Sequence, residues 1–215
     1  MSILVAGIGN LFLGDDGFAP EVIRRLNAEG PPPDRVRYYD YGIRGVHLAY
    51  DILYGVDRLI IVDALPLDGG TPGELVVLEV GPGDIEPVGF DAHAMSPGAV
   101  LGNVERLGGE MPRTYVIGVR VDGVVEEIGL TPRVEAAVPA AMAAVRTLVD
   151  RILPELPPVD NSEEAVAART EAARAAFLKA VTAQSAAPAA DKAATAQAAT
   201  AQAATAQATA ESEGS

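Results

Sequence analysis

The chain contains no cysteine in 215 residues. That removes a thiol nucleophile, a cysteine zinc site, an iron-sulfur ligand set and any disulfide. Tryptophan is also absent, and aromatics make up 5% against 49% hydrophobic residues, so the core must be built from Val, Leu, Ile and Ala, which suits a sheet covered by helices. Positive charge is scarce. Sixteen Lys and Arg stand against 30 Asp and Glu, giving a formal net charge of −14, which would repel a phosphate backbone, so no nucleic acid partner is expected. No run approaches the ~18 apolar residues of a membrane span, and Met1-Ser2 leads straight into a strand-like run without a basic segment. No membrane association and a cytoplasmic location are therefore expected. Between Ser2 and Ser162 the only serine is Ser96, outside any Gly-x-Ser-x-Gly setting, so a nucleophile elbow is missing. His-Glu-x-x-His is missing too, and with it the usual zinc peptidase helix. A hydrolase made from this chain has few options besides a carboxylate and histidine site.

What is present divides in two. Up to about Leu153-Pro-Glu-Leu-Pro-Pro158, apolar runs alternate with Gly, Pro and Asp loops; beyond it alanine dominates, and Thr195 to Thr209 repeats Thr-Ala-Gln-Ala-Ala with little variation. The expected organisation is an α/β domain over 1–155 and an Ala-rich low-complexity tail over 156–215. The domain carries −11 of the charge and the tail −3, so the acidity belongs mainly to the folded part. In the tail, Asn161 followed by Glu164 reads as a capping box, and Val166, Ala173, Phe177 and Val181 fall at helical spacing, which predicts a helix from about Ser162 to Ala183. From Ser185 onward the repeat offers nothing larger than Gln to bury, and a solvated extension, disordered or only fleetingly helical, is expected.

In the domain, Ile3 to Gly7 reads as a short strand, followed by a Gly/Asp loop and a helix from about Phe18 to Ala28. Val36 to Tyr39 is a second strand and Val46 to Leu53 a second helix. Arg58 to Asp63 is almost wholly apolar before its terminal acid, the pattern of a strand buried on both faces, so it is expected at the centre of the sheet. Ten residues separate Asp63 from Glu74, too few for a helical crossover, so Glu74 to Val80 should run antiparallel or at an edge. Ser96 to Leu107 is a third helix and Tyr115 to Val121 a further strand. Thr131-Pro132 opens the last helical stretch, with Thr as cap and Pro at the first helical position; Pro139 then either kinks that helix or separates a turn from a main helix ending at Ile152. The alternation predicts a three-layer α/β sandwich, a mostly parallel twisted sheet with one antiparallel or edge strand and helices on both faces.

In such a sheet ligands bind beyond the carboxyl ends of the strands, where the strand order reverses. The first strand runs into Gly7-Ile-Gly9-Asn10-Leu-Phe-Leu-Gly14-Asp15-Asp16-Gly17 and the buried strand ends in Asp63, so both deliver acids to one edge. His93 lies in the loop from Gly81 to Met95, whose fifteen residues can span up to ~50 Å and so can return to that edge. Asp16, Asp63 and His93 would supply two carboxylates and one imidazole, a set suited to a borderline divalent metal with open positions. Each residue also has a plainer reading. Asp15 or Asp16 can cap the following helix, Asp63 can satisfy backbone amides at a strand end, and a lone loop histidine is more often a surface residue. His47, among Val46, Leu48 and Ala49, reads as structural.

Taken together, Gly7-x-Gly9-Asn10 leading to Asp15-Asp16-Gly17, Asp40-x-Gly42-x-x-Gly45, Val62-Asp63-Ala64, His93-Ala-Met-Ser-Pro97, Ile117-Gly118-Val119, and Gly129-Leu130-Thr131-Pro132 through Pro139 resemble the hydrogenase maturation endopeptidases. The resemblance covers residues 1 to about 152. It implies an α/β fold in which Asp16, Asp63 and His93 bind the metal and form the catalytic centre. It implies a metal-dependent endopeptidase that removes the carboxyl-terminal extension of the nickel-loaded large-subunit precursor of a nickel-iron hydrogenase. The nickel would be supplied by that precursor, and a monomer is expected. A free carboxylate such as Asp15 or Asp40 could move a proton. Departures from the family pattern are Ala19 where Gly is frequent, His47 where an apolar residue is usual, and Ile43-Arg44 in place of a Thr-containing pair.

Two other functions stand beside this one. A dinucleotide-binding oxidoreductase is suggested by Gly7-x-Gly9 after a strand and Asp40 at the end of the next. Position 12 is Phe, however, and the helix opens only after Gly17, so the third glycine and the helix offset both fail. A non-cleaving assembly chaperone for the large subunit would not need Asp16, Asp63 and His93.

Overall fold

The computed structural model describes residues 2–66, 69–81, 97–158, 160 and 162–186. Five strands, β1 (Ile3–Ile8), β2 (Val36–Gly42), β3 (Arg58–Pro66), β4 (Leu75–Val80) and β5 (Arg113–Val121), form one sheet in the order β2-β1-β3-β5-β4. The first four strands in that order are parallel; β4 pairs antiparallel with β5 at the edge. β3 is central because it can be buried on both faces: Leu59, Ile60, Ile61 and Val62 are all fully buried. The short link from Asp63 to Glu74 has forced β4 to turn back, as chain length requires.

The helices are α1 (Phe18–Ala28), α2 (Gly45–Leu53), α3 (Pro97–Arg106), α4 (Pro132–Ile152) and α5 (Glu163–Ala186). Alternate residues of each strand feed two cores. Ile3, Val5, Ile60, Val62, Ile117 and Val119 pack with α1 and α4, while Leu4, Ala6, Ile8, Leu59, Ile61 and Val116 pack with α2 and α3. Each buried Val, Leu or Ile contributes about 1.5–3 kcal/mol relative to exposure, so both faces of the sheet are closed. α1 shows the periodicity responsible: Phe18, Ala19, Val22, Ile23 and Leu26 are buried, one stripe of an amphipathic helix. Gly7 lets this helix lie directly on β1, since a Cβ there would meet Ile23 Cγ1 at 2.7 Å and Ala19 O at 3.2 Å.

Several expected boundaries shift. β2 continues past Tyr39 to Gly42, and β3 past Asp63 to Pro66, because β1 and β5 offer pairing partners along those stretches. α4 is one continuous helix through Pro139. The proline stands on its exposed side, where solvent can replace the bond it removes. α5 starts from Ser162, whose Oγ accepts the Ala165 N–H at 3.2 Å, one residue beyond the expected cap; Asn161 lies outside the described residues. Among the described side chains of α5 only Ala165 is half-buried, the rest being exposed. The last buried side chain of the described core is Leu156. Residues 187–215, expected to be disordered, are also outside the described set. Among the described residues no helix is long and apolar enough to cross a membrane.

Candidate active site

β1 and β3 are neighbours, with β2 on the far side of β1, so the connection order reverses between them and the crevice opens there. From Ile8 the chain enters a tight loop. Gly9 has φ +145°, and a Cβ there would lie 2.0 Å from the carbonyl oxygen of Asp16. Only glycine allows the loop to fold back so closely. Its return is a 3₁₀ turn, Gly14–Gly17, that precedes α1. The Asn10 N–H then donates to Asp16 Oδ2 at 2.7 Å, and Asn10 Oδ1 accepts the Phe12 N–H at 3.0 Å. These bonds fix the Asp16 carboxylate at the mouth of the crevice. The same fold-back argues against a dinucleotide, because the protein's own backbone fills the space over Gly9 through which a pyrophosphate would approach.

Asp63 lies on β3 opposite Gly118 of β5. Strand alternation puts it on the same face as Leu59 and Ile61, and it is only 6% exposed. Among the described residues its hydrogen-bond partner is the Ala64 N–H, which donates to Oδ1 at 2.8 Å. Burial pushes the Asp63 carboxyl well above its ordinary pKa; the Ala64 bond opposes this and the nearby charge of Asp16 adds to it. Asp16 is also raised, by burial against the opposing Asn10 bond. The two acids are therefore close enough to feel each other, and among the described residues no cation contributes to the balance at either.

A pair of this kind, with Asp63 buried and Asp16 half-buried, is costly unless it takes up a proton or a cation. Its donor chemistry fits a divalent metal, with oxygen ligands from two elements. Among the described residues no third His, Asp or Glu completes a ligand cluster; His93 lies outside the described residues, so its expected place beside the acids stays an expectation.

Of the other acids of this edge, Asp15 is engaged at both oxygens and Asp40 at one. Asp15, buried at 8% exposure, accepts the Thr131 N–H at 2.7 Å and the Thr131 hydroxyl at 3.0 Å. It is not the free carboxylate considered for proton transfer, nor does it cap α1, whose amino terminus has no side-chain cap. It ties the first loop to the start of α4. The Gly14 N–H reinforces the tie by donating to the Glu127 carbonyl at 2.6 Å. Asp40 accepts the Gly42 N–H at 2.8 Å, while Arg44 donates to the Asp40 and Tyr41 carbonyls at 2.8 and 3.0 Å. His47 is exposed rather than packed. With Tyr39, Tyr41, Arg44, Tyr50 and Asp51 it lines a cavity of about 380 Å³.

The sequence and the fold have known counterparts. A profile of the hydrogenase maturation proteases (HycI) matches residues 20–148. The chain belongs to the hydrogenase maturation protease family. It is 32% identical over 150 residues to the hydrogenase 2 maturation protease of Escherichia coli, covering 67% of this chain and 88% of that one. The structure of the hydrogenase maturating endopeptidase HybD from E. coli superimposes with a TM-score of 0.59 at 29% identity, covering 70% of this chain and 93% of that chain. The [NiFe] hydrogenase maturation protease HybD from Thermococcus kodakarensis gives a TM-score of 0.53 at 25% identity, covering 69% and 99%. The family's peptidase activity and its five-stranded, mostly parallel sheet are thus those of this protein.

Proposed function

We propose that this protease removes the carboxyl-terminal extension from the nickel-loaded large-subunit precursor of a nickel-iron hydrogenase, and that Asp16, Asp63 and His93 recognise the precursor through its nickel. The observation that carries this reading is the pair of acids at the sheet's switch point, Asp63 deeply buried and neither balanced by a cation among the described residues. The nickel belongs to the substrate. Bound there, it would supply Lewis acidity to a carbonyl or a water. The chain's own part is to hold two preset carboxylates, exclude water from Asp63 and leave the other face of the crevice open to the polypeptide. Asp40, engaged by a single described backbone N–H, is the carboxylate of this edge left for proton transfer. The reading includes a monomeric cytoplasmic enzyme, checked by light scattering and fractionation.

Purified precursor, with and without nickel, incubated with the protein and followed by mass spectrometry, tests this. The nickel form should lose its extension and the nickel-free form should not, while Asp16→Ala, Asp63→Ala and His93→Ala abolish the loss and His47→Ala preserves it. Equal processing of both forms would refute nickel recognition. An unchanged precursor mass with wild-type protein would instead support a holding chaperone.

A further inference from the structure

Next to the acids, two loops expose apolar side chains together. Phe12 is 68% exposed, Val125 58% and Ile128 78%. Phe12 comes from the loop that carries Asp16, and the other two from the 122–130 segment ahead of α4. The Gly14 to Glu127 and Asp15 to Thr131 hydrogen bonds join those loops, so the apolar groups form one surface and not two independent tips. A cavity of about 330 Å³ opens between Phe12, Leu13 and Ile128, bordered by Glu126 and Glu127. That is at the small end of ligand cavities, roughly 300–1,000 Å³, a size for one or two side chains.

The charge of this surface narrows the occupant. Glu21, Glu29, Glu74, Glu79, Glu135 and Glu155 each sit against an arginine. Among the described residues no cation pairs with Glu126 or Glu127. Apolar groups beside unpaired carboxylates attract a polypeptide segment that carries an apolar side chain and a basic one. They repel nucleic acid and anionic lipid. A second copy is disfavoured too, since it would bring its own glutamates against these in a chain of net charge −14.

We propose that the Phe12, Leu13, Val125 and Ile128 surface with Glu126 and Glu127 docks a basic, apolar segment of the large-subunit precursor beside the scissile bond. This rests on the proposed function for the identity of the partner, but the surface itself can be judged without cleavage. Isotope-labelled protein is titrated with the synthetic peptide Ac-Ala-Leu-Lys-Leu-Arg-Ala-NH₂ and with its analogue bearing Glu in place of Lys and Arg, and amide shifts are read by NMR. The basic peptide should shift Phe12, Val125 and Ile128 and bind about tenfold tighter than the acidic one. The Glu126→Lys/Glu127→Lys double variant should reverse that preference.

In processing of nickel-loaded precursor, the double variant and Phe12→Ser should raise KM about tenfold and leave kcat unchanged. Shifts confined to other parts of the protein, equal binding of both peptides or an unchanged KM would each overturn the proposal. So would concentration-dependent dimerisation through Phe12. If wild-type protein processes no precursor, the function reading fails while the NMR titration still decides the surface.

Discussion

Replacing Asp63 by Asn should stabilise the metal-free protein at neutral pH. The variant keeps the shape of the side chain and an Oδ1 to accept the Ala64 N–H, now 2.8 Å away, but removes a carboxyl that burial and the charge of Asp16 push well above its ordinary pKa of 3.8. The sign follows from linkage. Below 3.8 the group is protonated in both folded and unfolded chains and makes no difference. Above it, the unfolded chain has released a proton that the folded chain still holds, so wild-type stability falls with rising pH, by up to ~1.4 kcal/mol per pH unit for one proton. The fall ends once the folded group also ionises. Asn has no such dependence. Avoiding the penalty of a poorly satisfied buried carboxylate should gain about 1–3 kcal/mol, or roughly 3–10 °C in Tm for a folded part of this size. The assay is calorimetric melting of both proteins in chelator from pH 3 to pH 8, then with a divalent nickel salt. The variant should melt higher at pH 7, equal to wild type near pH 3, and gain less from nickel. A Tm at pH 7 equal to or below that of wild type would refute the idea that Asp63 is held at a cost for the sake of its site.

Other outcomes follow from the loop and the tail. Gly9→Ala should cost about 2–4 kcal/mol, because a methyl group 2.0 Å from Asp16 O at φ +145° combines overpacking with backbone strain; denaturant melts would show it, together with loss of processing as Asp16 is displaced. Asp15→Ala removes two hydrogen bonds and a negative charge at the start of α4, costing about 1–2 kcal/mol. It should also raise hydrogen exchange at Thr131 and Gly14 well before global unfolding. A chain ending at Pro158 retains Leu156, the last buried core residue, and the Arg35 contact to the Pro157 carbonyl. Its Tm should lie within about 3 °C of the full chain, a change on the order of 1 kcal/mol; loss of cooperative unfolding would show that α5 belongs to the core.

The sheet could be read from the sequence because its signals are local. A strand buried on both faces is an unbroken apolar run, as in Leu59 to Val62, and the ten-residue link after Asp63 bounded the direction of β4. Asp63 stood out as the acid that ends such a run. The outer part of β2 was harder to see, because Asp40 and Gly42 carry turn-forming residue types; pairing with β1, including a register shift between Gly7 and Ile8, overrides that preference. The Asp15 to Thr131 tie was not legible. Its partners are 116 residues apart, and nothing in either local pattern distinguishes a carboxylate that caps its own helix from one that reaches the next. The same holds for the joined Phe12 and Ile128 loops, which in sequence are unrelated apolar residues in polar surroundings.

The clustering of tyrosines has an optical consequence. The chain has no tryptophan and six tyrosines, and Tyr38, Tyr39, Tyr41, Tyr50 and Tyr54 all belong to β2, α2 or the residue after α2. Intrinsic emission therefore reports chiefly on that corner, where the Tyr41 hydroxyl donates to the Asp51 carboxylate, with Tyr115 on β5 the sixth emitter, and it is nearly blind to the acid pair and the docking loops. A fluorescence melt of the natural protein would follow the β2–α2 corner and miss local opening at the crevice. Phe12→Trp, at an exposed site beside Asp16, would give the crevice its own emission signal, separable in wavelength from the tyrosines.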